Sequence, residues 1–213
     1  MRSNAIENYK KTLKLSTLQK EVLVGTLLGD GCLETQNNDR TYRLKIEHSI
    51  QQKDYVDWKY GIFKDLVLTE PKSRDYVSYG NSRINYRFST ISSGSLRFYA
   101  QQFYKNGKKV IPELIGKMLT PLALATWFMD DGSIKSNRHK ALVIHAQSFE
   151  KTDLERIIKI IENKFGIKSI LRKRNDGSGY VIYILSATID QFIDLVKDYI
   201  LPSMKYKLGN TIA

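Results

Sequence analysis

Apolar and polar positions along the chain switch repeatedly between a helical and a strand rhythm. Residues 16–29 carry apolar side chains at helical spacing and open on Ser16 three places before Gln19, the pattern of a capping box. Residues 31–34 and 40–49 predict a hairpin. On its second strand Tyr42, Leu44, Ile46 and His48 share one face, and Thr41, Arg43, Lys45, Glu47 and Ser49 the other. Tyr55, Trp58, Ile62, Phe63 and Leu66 return to helical spacing over residues 51–66. A second hairpin is expected at 74–79 and 83–91, turning at Gly80, Asn81 and Ser82. A helix over 96–105 ends near Gly107, and Pro112 starts a short one.

The order then restarts. Thr120 before Pro121 opens a helix that runs to Asp131. A hairpin over 133–135 and 140–147 turns around Asn137, and a helix covers 152–165. Strands at 168–174 and 180–187 are joined by Asn175-Asp-Gly-Ser-Gly179. Thr188 and Gln191 form a second capping-box pattern before a helix to Tyr199. Residues 1–15 are polar and read as an arm.

Three markers repeat at a nearly constant step. Leu23-Val-Gly-Thr-Leu-Leu-Gly-Asp-Gly31 and Leu124-Ala-Thr-Trp-Phe-Met-Asp-Asp-Gly132 both have leucine first, aspartate eighth and glycine ninth, 101 residues apart. Ser49-Ile-Gln-Gln-Lys-Asp54 answers Ser148-Phe-Glu-Lys-Thr-Asp153 at a step of 99, and Lys109 answers Lys207 at 98. Such markers predict an internal duplication. The chain is read as α+β, with an arm (1–15), a first half (16–119) and a second half (120–213).

Charge narrows the partner. The chain has 34 Lys and Arg against 22 Asp and Glu, a net +12. That balance suits a polyanion, either nucleic acid or an anionic membrane surface. No apolar run is long enough to span a bilayer, and the N-terminus lacks the apolar core of a secretory signal. Cys32 is the sole cysteine, so an internal disulfide is excluded and a reducing, intracellular setting is expected. With His48, His139 and His145 it makes no zinc-ligand spacing, and the histidines read as strand residues with ordinary polar partners.

The two repeated stretches carry the candidate chemistry. Gly25 and Gly29 lie four apart on one helix face, and the second helix has Ala125 and Thr126, so the backbones can approach closely. Gly31 and Gly132 can also be read as simple helix caps. Aspartate at a helix C-terminus is electrostatically unfavourable, and Asp30 and Asp131 repeat that choice. A divalent cation offsets both, and oxygen-only donors favour magnesium. Asp130 adds a carboxylate one helical step away, facing water or a hydrogen-bond partner. Metal on a basic chain suits phosphodiester hydrolysis, with Lys109 and Lys207 placed to polarise or steady a water near the scissile phosphate.

Sheets with an open charged face fit the DNA major groove. An eight-residue strand spans about 26 Å, roughly eight base pairs, so two halves would read roughly sixteen. Candidate readers are Arg43, Lys45, Glu47, Arg83, Asn85 and Arg87 in the first half. In the second they are His145, Gln147, Lys168, Arg172, Arg174, Tyr180 and Ile182.

The stretches Lys108-Lys-Val-Ile-Pro112, Leu119-Thr-Pro121, Trp127-Phe-Met-Asp-Asp-Gly132, Gln147-Ser-Phe149 and Tyr206-Lys-Leu208 resemble the LAGLIDADG homing endonucleases in their single-chain, two-motif form. The resemblance spans nearly the whole chain. It implies two pseudo-symmetric αββαββα halves, with antiparallel saddle-shaped sheets around a central helix pair. It implies that Asp30 and Asp131 are the metal-binding acids, with Gly29 and Asp130 beside them at the metal, and that Lys109 and Lys207 are the paired active-site lysines. A monomer is implied that cuts both strands of a long asymmetric DNA site across the minor groove, leaving 3′ overhangs. Mg2+ is the expected cofactor, with Mn2+ substituting and Ca2+ binding without cleavage. An intron-encoded, organellar origin is expected. The rival readings are an intron RNA maturase and a non-cleaving DNA-binding protein of the same fold. The sequence departs from the family twice. Gly29 stands where the second motif has Asp130, and Gly209 stands where a proline is expected after Lys-Leu.

Overall fold

The computed structural model describes residues 4–78, 81–136 and 139–211. In chain order the elements are α1 (Asn4–Thr12), α2 (Thr17–Leu28), β1 (Cys32–Thr35), β2 (Tyr42–Ser49), α3 (Lys53–Phe63), β3 (Lys72–Ser78), β4 (Asn81–Ser89) and α4 (Arg97–Phe103). A small hairpin follows, β5 (Tyr104–Lys105) and β6 (Lys108–Lys109), then α5 (Ile115–Met118). The second run is α6 (Pro121–Asp131), β7 (Gly132–Ser136), β8 (His139–His145), α7 (Lys151–Phe165), β9 (Ser169–Lys173), β10 (Tyr180–Ile184) and α8 (Ile189–Val196). A 3-10 run, Pro202–Thr211, closes the chain. From α2 to α4, and again from α6 to α8, the order is αββαββα.

The two sheets have the same antiparallel topology, β1-β2-β4-β3 and β7-β8-β10-β9, as a duplication requires. The chain divides into two compact units, residues 1–22 with 30–101, and residues 23–29 with 102–213. The division falls inside α2, whose last turn belongs with the second unit.

In the first unit, β2 buries Leu44, Ile46 and His48 while the residues between them stay partly open. Leu33 and Phe88 lie on the same buried side, where Tyr60 of α3 meets Phe88 edge-on. The predicted capping box at α2 forms in full. Ser16 N–H donates to Gln19 Oε1 and Gln19 N–H to Ser16 Oγ. The Gln19 amide also donates to Ile62 O and Asp65 Oδ1, tying the start of α2 to the end of α3.

In the second unit, α6 begins as the sequence predicts, with Thr120 Oγ1 accepting from Ala123 N–H and Pro121 in the first turn. Its residues from Leu122 to Asp130 are all buried, and Phe128 packs edge-on against Phe192 of α8. The end of α2 lies against it. A Cβ built on Gly25 would come within 2.3 Å of Ala123 O and 2.5 Å of Thr126 Cβ. A Cβ on Gly29 would fall 2.4 Å from Asp130 Cβ. Gly25 with Thr126, and Gly29 with Asp130, are pairs of equivalent positions, each 101 residues apart. Contact between equivalents is what a twofold axis between two helices produces. Ala125, expected at this seam, is buried but is not among the closest atoms to either glycine.

Four local expectations are corrected. The polar arm holds a helix, α1, because Glu7 and Lys10 pair across one turn and the Tyr9 hydroxyl donates to Asp65 O. The helix expected to reach Lys105 stops at Phe103, since Asn106 and Gly107 both adopt positive φ and turn the β5–β6 hairpin. The Thr188–Gln191 capping box does not form. Thr188 Oγ1 bonds the Lys168 backbone instead, and Gln191 donates to Phe165 O. Gly132 is not a left-handed cap. Its φ is −79°, and glycine is needed because a Cβ would meet Phe128 Cδ2 at 2.3 Å. The turn residue Gly80 and the hairpin tip Asn137 lie outside the described residues.

Gly25→Ala should cost about 3 kcal/mol, since the new methyl meets backbone oxygen that cannot give way. Gly61→Ala, in the last turn of α3 with nothing within 4 Å, should instead stabilise by about 0.5 kcal/mol. Urea unfolding of both variants checks the contrast, and equal effects would refute a tight helix seam.

Candidate active site and nucleic-acid face

The ends of the two repeated helices are where the candidate acids sit. Asp131 is the last residue of α6, and its Oδ2 accepts from Trp127 Nε1 at 3.2 Å. Asp130 is buried, 8% exposed, with its side chain against Gly29 rather than in water. Asp30 follows Gly29 directly, and its carboxylate is about half exposed, at 51%.

Both candidate lysines reach these helix ends, each within the second unit. Lys109 Nζ donates to Gly29 O at 2.7 Å. Lys207 Nζ donates to Met129 O at 2.5 Å and to Asp130 O at 2.6 Å. Each lysine therefore grips the carbonyl that immediately precedes the eighth-position aspartate of its own motif, Asp30 or Asp131. Cations at a helix C-terminus satisfy orphan carbonyls and oppose the negative end of the dipole. Part of the positive charge that the aspartates call for is thus supplied by the protein itself.

Each lysine is held by structure the sequence did not reveal. Lys109 ends β6, and Val110 N–H donates to Phe103 O across the hairpin. Next to it Asp153 accepts from Ile111 N–H at 3.1 Å, while Arg156 donates to Ile111 O, Pro112 O and Asp153. The first turns of α7 thus clamp the segment that carries Lys109. Lys207 is buried on the closing 3-10 run, between Met204 and Leu208, both in the core. Gly209 has φ +66°, a conformation closed to proline, whose ring fixes φ near −65°. The departure from the expected proline is therefore a different backbone turn after an unchanged lysine.

Carboxylates and main-chain carbonyls at these helix ends are hard oxygen donors, a set that fits magnesium. One group breaks the oxygen-only pattern. His48, set aside in the sequence as a strand residue, is 7% exposed and places Nδ1 3.6 Å from Asp30 Oδ2.

The open face of the first sheet collects its charged candidates. Glu34 faces Arg43, Glu47 faces Arg87, Arg74 faces Asn85, and Tyr76 faces Arg83 across the strands. Arg43 bonds Glu34 through Nε and Nη2 at 3.0 and 2.8 Å, and Lys45 lies 3.8 Å from Glu34 and 3.5 Å from Glu47. Asn85 donates to Glu47 at 2.9 Å, with Arg87 3.7 Å away. Burial raises the Glu47 pKa, but the Asn85 hydrogen bond and the Lys45 and Arg87 charges outweigh it and leave it lowered. Exposed ion pairs contribute little stability, about 0–1 kcal/mol. Their effect here is to fix the posture of the arginines. Glu34 was missed because its role depends on the strand register.

On the second sheet the face containing Ser133, Val143, His145, Arg172, Val181 and Tyr183 is the open one. Lys135, His145, Arg174 and Tyr183 line a cavity of about 400 Å³ there. Lys135 Nζ and Arg172 both sit over the Tyr183 ring, at 5.2 and 4.6 Å. Burial, then the Arg174 and Lys207 charges, lower the His145 pKa, and its Nε2 pairs with Ser133 Oγ. The expected face for Tyr180 and Ile182 is reversed. Both share the parity of buried Ile184, and Ile182 is 1% exposed, because every β10 residue but Tyr180 and Tyr183 is apolar and gives no alternation to read. Lys168 lies just before β9, and Gln147 in the exposed turn after β8, beside Gly179.

Comparison with known proteins places the chain in a family. A "Probable intron-encoded endonuclease 1" of Wickerhamomyces canadensis is 32% identical, over 97% of this chain and 90% of that protein. A "Cytochrome b mRNA maturase bI2" of Debaryomyces hansenii is also 32% identical, over 98% and 79%. The homing endonuclease I-WcaI, solved bound to its DNA recognition sequence, matches with TM-score 0.90 and 30% identity over 97% of this chain and 93% of that one. The family model for LAGLIDADG DNA endonucleases matches residues 20–192. With most of its length inside that match, the chain belongs to the LAGLIDADG DNA endonuclease family.

Proposed function

We propose that this chain is a site-specific, double-strand DNA endonuclease that depends on a divalent metal. Asp30 and Asp131 are the metal-binding acids, with the Gly29 and Asp130 peptides beside them, and Lys109 and Lys207 are the paired lysines. The observation that carries the proposal is the matched pair of lysine bonds to Gly29 O and Asp130 O, at the ends of two helices packed through equivalent residues. A bound cation would activate water and stabilise the leaving oxygen. The chain's own lysines add positive charge at the carbonyl that precedes each acid. An ammonium has three donors, so a grip on a carbonyl is compatible with a further bond to a water or phosphate oxygen.

The open sheet faces supply DNA contact through Arg43, Lys45, Glu47, Arg83, Asn85 and Arg87, and through His145, Gln147, Lys168, Arg172 and Arg174. Tyr183 and Lys135 replace Tyr180 in that role, since they line the open cavity. We assign cleavage with 3′ overhangs, action as a monomer, Mg2+ or Mn2+ as the metal, and an organellar intron origin to this reading. A maturase role on intron RNA is the second reading, favoured by the 32% identity to the Debaryomyces maturase. Retained acids and lysines in both halves support cleavage over a purely RNA-binding role.

Asp131→Asn should slow cleavage of a selected DNA target at least about a thousandfold, the loss of several kcal/mol of charge stabilisation. Affinity for the same DNA in Ca2+ should change little. Cutting at full rate by this variant, measured on a randomised target library with Mg2+, would remove Asp131 from the site. Binding confined to structured intron RNA would favour the maturase.

DNA affinity should also fall steeply with salt, with a log–log slope of about −6, a loss of roughly four-thousandfold between 50 and 200 mM. A shallow slope in a filter-binding titration would contradict phosphate contacts made by these Lys and Arg rows.

A further inference from the structure

We infer that His48 is a nitrogen ligand of the metal held by Asp30, and that this chain is thereby tuned towards Mn2+ over Mg2+. The inference rests on the metal reading above and adds a donor to it.

The geometry lies wholly within the first unit. His48 Nδ1 stands 3.6 Å from Asp30 Oδ2. That gap is too long for a hydrogen bond between them. It falls between the two spacings that donors of one octahedral cation take, so both groups can reach one ion with a small adjustment of the exposed Asp30 side chain. Metal–donor bonds of about 2.1 Å put adjacent octahedral ligands roughly 3.0 Å apart and opposite ones roughly 4.2 Å apart.

Burial makes the contrast sharper. The His48 side chain is 4% exposed, while the Asp30 carboxylate is 51% exposed. A nearly enclosed imidazole thus presents one nitrogen towards a carboxylate that solvent and ions can reach. The ring is also fixed in place. It packs against Tyr55 at 5.2 Å between centroids, and Tyr55 stacks on Trp58 at 5.8 Å. Lys59, fully buried on α3, lays its ammonium 4.2 Å from the Tyr55 ring centroid on that ring's face. A ring held by its neighbours needs no reorganisation to bind metal, which is the usual state of a ligating histidine.

Chemistry then gives the consequence. Imidazole nitrogen suits transition metals, while Mg2+ prefers oxygen. By register the pair Leu33–Leu44 answers Ile134–Leu142, so His48 answers Ala146, and among the described residues the second half has no histidine in that place. The nitrogen is on one side of the duplication only.

The test is pulsed EPR of Mn2+ bound to the full chain, with histidine labelled in turn by 14N and 15N. The variants are His48→Gln, His48→Asn and Asp30→Asn, each checked for folding by its thermal midpoint. The wild-type chain should show nitrogen coupling that shifts with the isotope. Both His48 variants should lose it, with Mn2+ affinity down about tenfold and Mg2+ affinity changed less than about twofold. If Asp30→Asn abolishes Mn2+ binding but the wild type shows no nitrogen coupling, His48 is not a ligand and the metal proposal survives alone. Coupling that persists in folded His48→Gln comes from another histidine and also overturns the inference. If the wild type binds no Mn2+, the metal reading and this one fall together.

Discussion

The close approach of the last turn of α2 to α6 is the constraint that the candidate site depends on. Gly25 inside α2 costs roughly 1 kcal/mol relative to alanine. The cost is tolerated because Gly25 sits on the Ala123 carbonyl and Thr126, and Gly29 on the Asp130 side chain. The second contact explains why the two motifs differ at one position. Residues 29 and 130 are equivalents that meet on each other, so only one can carry a side chain. With Asp130 there, a Cβ at 29 would lie 2.4 Å from its Cβ. The departure from strict repetition is a steric rule of the seam rather than a weakened motif.

The same seam sets the electrostatics. Two helices end side by side, each with its negative dipole end and an aspartate at or just past it. Left alone this would be an accumulation of negative charge. Lys109 and Lys207 answer it symmetrically, although they reach their carbonyls by unrelated routes. One hangs from a two-strand hairpin clamped by Asp153 and Arg156, the other from a buried 3-10 run. Two unrelated local supports thus bring an ammonium to the same carbonyl position in each repeat, Gly29 O and Asp130 O. Gly209 fits this view, since the chain after Lys207 turns through a left-handed φ without moving the lysine from its carbonyls.

Elements that announce themselves by local chemistry were legible in the sequence. Ser16 with Gln19, Thr120 with Pro121, and the strict alternation of β2 all formed as their patterns predict. The failures share a cause, which is competition from partners distant in sequence. Thr188 had a stronger claim from the Lys168 strand end than from its own helix. Asn106-Gly107 was read as a helix stop when its φ values make a hairpin. Tyr180 and Ile182 lie on the face opposite to the one their sequence suggests, because β10 has buried apolar residues on both sides. His48 and Glu34 were overlooked because nothing near them in sequence signals a role. Register brings Glu34 opposite Arg43, and the fold brings His48 to Asp30.

The two sheets share a topology but not a chemistry, and this bears on how a duplicated chain can read an asymmetric site. In the first, Glu34 and Glu47 sit among Arg43, Lys45, Asn85 and Arg87, so each cation already has an acceptor. Donor and acceptor groups are pre-set, which suits hydrogen-bond readout of base edges and resists indiscriminate phosphate binding. In the second, Lys135 and Arg172 lie over the Tyr183 ring above a floor of Val143 and Val181, with a half-buried His145, its pKa lowered by burial, beside them. That surface offers cationic and apolar contact rather than paired acceptors, which suits thymine methyls and sugar–phosphate. Duplication fixed the helix seam, where equivalents touch and symmetry is mechanically enforced. The strand faces touch no equivalent, so nothing in the fold holds them alike.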